Sequence, residues 1–267
     1  MVILKKIIKK ISLLVLICFS FFYTDKVINY INQNSELMKQ IINVSEEYKV
    51  KEVNGYIEDD TIIPGIRGKE INVRRSFNNM KKYNTFVEEY LVYNNIMPTI
   101  RLEDNKDKYI IKGNNNKKEV SILLIVDSNN INKLEGINNI TLFMHHNILT
   151  IDNLNKLKNN EIYTYGNNGT YSKSILINDN TLINNLSNNR SKYCLLREKS
   201  IENLNECKNQ DMYTILSIKG SNYNSIKDNL SNGKIIVLDN INNLNNIIKY
   251  INSKGYRIVS LDRLLRE

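Results

Sequence analysis

From about residue 108 onward, apolar runs of strand length alternate with polar segments that suit helices, and nothing else in the chain limits its fold as strongly. The strands read from this pattern cover residues 109–111, 120–126, 140–144, 161–165, 193–197, 213–218, 235–238 and 257–261. Helix-compatible pieces such as 154–158, 201–207 and 244–253 lie between them. Runs 120–126 (VSILLIV) and 235–238 (IIVL) are almost continuously apolar, as in strands covered on both faces. Alternating β and α units predict a parallel sheet with right-handed crossovers. About seven repeats of the unit favour a barrel over an open sheet, and in such barrels chemistry sits at the carboxyl ends of the strands.

The first 25 residues are different. Lys5, Lys6, Lys9 and Lys10 precede the apolar run 11–23 (ISLLVLICFSFFY). A basic segment followed by an apolar one reads as a signal sequence, and no small-x-small cleavage site follows it. The expectation is an uncleaved, single-pass signal anchor, lengthened by snorkelling of Lys9 and Lys10, with the remaining chain outside the cell. Cys18 within this run reads as a buried apolar side chain. Residues 26–107 are expected to form a stalk helix over about 25–48 and a small α+β region. That region has a turn at Pro64-Gly65, a short helix opened by Ser76 over 76–83, and a strand-like stretch at 89–93. The expected division is therefore 1–25, 26–107 and 108–267.

Particular residues point further. Residues 122–129 (ILLIVDSN) resemble a T-F-D-D-G motif, and 140–144 (ITLFM) resemble an A-T-F-F-V strand. Residues 233–240 (GKIIVLDN) resemble G-S-I-I-L-L-H-D, and 250–261 (YINSKGYRIVSL), followed by Leu264-Leu265, resemble a closing L-K-x-K-G-Y-x-F-V-T-L-x-x-L-L. In this order the segments resemble the polysaccharide deacetylase (NodB-homology) family. The resemblance covers a little over half the chain and implies a distorted (β/α) barrel over 108–267.

That family removes an acetyl group from an N-acetylated sugar, with water activated by a divalent metal such as zinc. By the resemblance, Asp127 matches the general base and Ser128 the metal-binding Asp. Tyr165 and Gly169 match the metal-binding His pair, and Asp239 matches the late His that protonates the leaving amine. Gly169 has no side chain to offer, and Ser128 and Tyr165 are poor zinc ligands. An aspartate at 239 does not replace a histidine as a proton donor at neutral pH. The expectation is a domain with no intact catalytic residues and no bound metal or other cofactor, in which Asp127, Arg197 and Asp239 ring the barrel mouth and either bind a sugar or pair with one another. His145 and His146 are the only histidines, and neighbouring strand residues point to opposite faces, so a rebuilt metal site is not expected there.

Cys194 and Cys207 fall at the start of a strand and near the end of the next helix; outside the cytoplasm they either form a disulfide or remain reduced in the core. The formal charge is +9, four of these charges lying beside the apolar N-terminal run. No dense Lys/Arg block interleaved with aromatics occurs, which argues against nucleic acid as a partner. The expected function is that of an extracellular, membrane-anchored deacetylase-like protein of a bacterial envelope, binding a cell-wall glycan or an envelope protein. The alternatives are an active deacetylase with a relocated site and a purely structural envelope protein.

Overall fold

The computed structural model describes residues 2–134, 137, 140–186, 191–218 and 220–267. The chain runs α1 (Val2–Gln33), α2 (Glu36–Glu47), β1 (Tyr56–Glu58), β2 (Thr61–Ile63), β3 (Gly68–Ile71), α3 (Val73–Met80), β4 (Tyr93–Ile96), β5 (Tyr109–Ile110) and β6 (Glu119–Val126). It continues with β7 (Thr141–His145), α4 (Ile151–Leu157), β8 (Glu161–Gly166), α5 (Lys173–Leu186), β9 (Tyr193–Leu196), α6 (Ile201–Asn209) and β10 (Tyr213–Leu216). It ends with α7 (Tyr223–Asn229), β11 (Ile235–Leu238), α8 (Leu244–Ser253), β12 (Arg257–Ile258) and α9 (Leu261–Leu265). Two compact units result. One holds residues 1–51 and 68–96, the other residues 52–67 and 97–267. The boundary expected at 107/108 is therefore replaced by a discontinuous one, because β2 pairs with β5 and so draws 52–67 into the larger unit.

In the larger unit, two sheets enclose one interior core. Their strand orders are β1-β2-β5-β10-β9 and β11-β6-β7-β8, with β12 beside β6. Apart from the antiparallel pair β1-β2, all these pairings are parallel. Strand β6 is buried along its whole length, and its alternation explains why. Leu123 and Ile125 face inward with Phe143, Tyr163, Leu195, Ile215 and Val237. Val120, Ile122, Leu124 and Val126 face the helix layer with Leu154, Ile183, Ile226, Ile247 and Ile251. Helix α8 buries Leu244, Ile247 and Ile251, one stripe at helical spacing. A disulfide joins Cys194 on β9 to Cys207 on α6, with Cα atoms 6.4 Å apart. The expected strand at 257–261 is shortened, because the Ser260 side chain caps α9 at the Arg263 N–H.

The smaller unit packs α2 and α3 on the antiparallel β3-β4 pair around Leu37, Met38, Ile41, Ile71, Phe77 and Met80. The stalk helix expected over 25–48 is two helices. α1 runs to Gln33, and Ser35 opens α2 by accepting from the Met38 N–H. Helix α3 starts before Ser76, because Asn72 and not Ser76 is its cap. The strand-like stretch at 89–93 is a short 3-10 turn, Glu88–Tyr90, followed by β4.

The expected membrane-spanning helix is not found: among the described residues no helix is long and apolar enough to cross a membrane. The apolar run 11–23 accounts for only about 20 Å of helix, against roughly 30 Å of hydrocarbon. Its side chains are nonetheless exposed, Phe19, Phe21 and Phe22 each by 70% or more. The snorkelling expected of Lys9 falls outside the described side chains.

Candidate functional site

The carboxyl ends of β6, β7, β8, β9 and β11 meet at one mouth of the barrel. Asp127 follows β6 directly, and its carboxylate is folded back on its own turn. It accepts from the backbone N–H groups of Asn129 at 3.0 Å and Asn130 at 3.1 Å, and from the Asn129 side chain at 3.2 Å. The buried Asn130 locks the turn, accepting from the Asp127 N–H and donating to the Ile125 carbonyl, each at 3.0 Å. Ser128 points into solvent from the same turn.

Tyr165 lies near the end of β8 and is buried, with the His145 ring edge-on at 5.1 Å. Burial pushes its phenol above the ordinary range, the Arg197 cation pulls it down and the Asp239 carboxylate pushes it up. Position 169 sits in the tight turn after β8, where the Gly169 N–H donates to the Tyr165 carbonyl at 2.9 Å. A Cβ at 169 would lie 3.2 Å from the Tyr165 hydroxyl on a backbone with φ of +80°. Arg197 after β9 and Asp239 after β11 form an ion pair at 3.2 Å. Gly220, in the loop after β10, is pressed against both. A side chain there would meet the Asp239 carboxylate at 2.5 Å and the Arg197 guanidinium at 2.8 Å. The second terminal nitrogen of Arg197, Nη1, is buried with no hydrogen-bond partner among the described residues. Beside this pair opens a polar cavity of about 430 Å³, lined among others by Ser221, Asn222, Asp239 and Asn240.

Of the residues singled out from the sequence, Tyr165, Gly169, Arg197 and Asp239 therefore come together. Asp127 is near them through His145, whose imidazole is pushed down by burial and drawn back up by the Asp127 charge. The two histidines diverge. His146 Nδ1 lies 2.6 Å from the buried Asp179 of α5, whose other oxygen accepts from the Thr164 hydroxyl. Neither Asp179 nor Gly220 was singled out from the sequence. Asp179 lies 33 residues from its histidine on a helix that the apolar pattern does not reveal. Gly220 carries no side chain to notice.

A divalent metal does not suit these donors. Gly169 provides none, burial disfavours the anionic form of the Tyr165 phenol, and the Asp127 carboxylate is already occupied by its turn. Among the described residues, no three His, Cys, Asp or Glu side chains are grouped to hold a metal.

Comparison with known structures places the fold. A mutant of BA3943, described as a CE4 family pseudoenzyme with restored enzymatic activity, superposes with a TM-score of 0.61 over 86% of this chain and 98% of its own, at 20% identity. Wild-type BA3943 from Bacillus anthracis gives a TM-score of 0.60 over 86% and 95%, also at 20% identity. This chain has the polysaccharide deacetylase fold. The fold implied by the sequence motifs is thus the fold observed. No family model matches the sequence. The uncharacterized protein YlxY of Bacillus subtilis (strain 168) is 34% identical over 91 residues, a match spanning 34% of this chain and 28% of that protein.

Proposed function

We propose that this chain is a catalytically inactive, deacetylase-like protein of a bacterial cell envelope, a divergent relative of the polysaccharide deacetylases that binds an envelope glycan at the barrel mouth. One observation carries the reading. Where the motifs call for metal ligands, a buried tyrosine packs against a glycine, and beside it an Arg–Asp pair stands in place of the proton donor. Such a mouth retains hydrogen-bonding groups without a means of making hydroxide. The polar cavity beside Asp239 offers amide and carboxylate groups of the kind that bind sugar hydroxyls. The description of the BA3943 neighbour as a pseudoenzyme is in keeping with this reading.

The Cys194–Cys207 disulfide supports an oxidising, extracytoplasmic setting. The exposed apolar side chains of 11–23 support attachment to a lipid surface. The test uses the full chain and purified cell-wall glycan strands. Binding that weakens about tenfold in Arg197→Gln or Asp239→Asn, with no acetate released and no stoichiometric metal, supports the proposal. Chelator-sensitive acetate release would replace it with an active enzyme.

A further inference from the structure

At the other end of the barrel, away from the mouth, β9 and β10 both begin with a tyrosine. Tyr193 and Tyr213 are direct partners in the parallel register, with rings 5.7 Å apart and tilted by 34°. Tyr163 stands edge-on to Tyr193 at 5.2 Å and fixes its ring from behind. A cavity of about 620 Å³ opens over the pair, larger than the cavity of about 430 Å³ beside Asp239 and within the range that holds small ligands.

Tyr193 lines this cavity although only 4% of it is exposed. Its hydroxyl has no hydrogen-bond partner among the described residues, nor has that of Tyr213. Both tyrosines line the cavity, so their hydroxyls are open to a polar partner from solution. Both are held as neutral phenols, able to donate and accept. Burial pushes Tyr193 well above the ordinary range, and burial with the nearby Glu103 carboxylate pushes Tyr213 up to about 12.

The rim decides the ligand's charge. Lys192 and Arg266 both reach Asp262, at 2.8 and 3.0 Å, and Lys106 pairs with Asp211. The four basic and four acidic side chains lining the cavity cancel one another. An anion would have to displace Asp262, and a cation would have to displace Lys106, which already sits 5.3 Å over the Tyr213 ring. A neutral, polyhydroxylated ligand meets no such competition. Its hydroxyls match the phenols, and the rim charges act as fixed polar partners. We propose that this cavity is a saccharide-binding site, separate from the mouth, that takes a neutral oligosaccharide segment.

The chain contains no tryptophan, so Met97→Trp, an exposed position on the rim, places a single indole reporter beside the cavity. The full chain carrying this reporter is titrated with the neutral N-acetylglucosamine tetramer. The expected result is a saturable emission shift, weakened about tenfold when Tyr193→Phe is added and unchanged by Arg197→Gln at the mouth. Should Tyr193→Phe fail to fold, Tyr213→Phe carries the same test from an intermediate position. Absence of a saturable shift at millimolar sugar, a Phe variant that titrates like its parent, or tighter binding of the cationic deacetylated tetramer would each overturn the proposal. Loss of the shift in Arg197→Gln would assign the sugar to the mouth instead, so the two sites fail separately.

Discussion

Glu161 opens β8 as a largely buried carboxyl whose environment works against its charge. Burial pushes its proton affinity up, and the Thr141 hydroxyl and the Asp262 N–H only partly offset this. A carboxyl raised in the folded state favours folding while it is protonated, and that contribution is lost as pH rises through its folded pKa. Glu161→Gln should therefore match the parent at pH 4 and be the more stable of the two at pH 7–8, as read from urea midpoints across that range. The mouth gives a second prediction at this scale. Ser128→Asp, Tyr165→His and Gly169→His together should confer zinc binding that the parent lacks, measured by chelator competition. The same variant should lose about 1–3 kcal/mol of stability, because a histidine at 169 must adopt a left-handed backbone.

Among the elements, β9 and α6 are joined covalently as well as by packing. Cys194 and Cys207 are both fully buried and 13 residues apart. Closing a loop of that size constrains the unfolded chain by about 3 kcal/mol. Cys194→Ala with Cys207→Ala should lower the unfolding free energy by roughly 2–4 kcal/mol in chemical denaturation. The strands were the legible part of this chain. Covered on both faces, β6 and β11 had to be continuous apolar runs, and β11 falls on the residues expected of it. Helix α8 was equally plain, since its buried stripe repeats cleanly. Helix α5 was not, because its 14 residues bury only Leu176, Asp179 and Ile183, and polar side chains separate them. At the mouth, the resemblance to the deacetylase motifs located Asp127, Tyr165, Arg197 and Asp239. How they divide was not legible. Asp127 turns to its own loop because Asn129 and Asn130 follow it, whereas Arg197 and Asp239 pair across 42 residues.

For the molecule as a whole, the larger unit is assembled from two separate stretches of sequence. Asn114 donates to the Pro64 carbonyl, and the Glu267 carboxylate accepts from the N–H groups of Gly65 and Leu102. A fragment of residues 108–267, the expected domain, lacks β1 and β2 and leaves one edge of β5 bare. It should unfold without a cooperative transition in calorimetry, whereas the full chain should show one.

The place of β5 in its sheet also sets an order of events. Its two neighbours, β2 and β10, are contributed about 50 residues before it and 100 residues after it, so that sheet closes only when most of the chain is present. The cysteine ring, by contrast, needs only a short local stretch. A chain that meets an oxidant while still threading into place would thus tie β9 to α6 first and dock that knot as a finished piece. The exposed thiol at Cys18 is the competitor such a chain must avoid on the way.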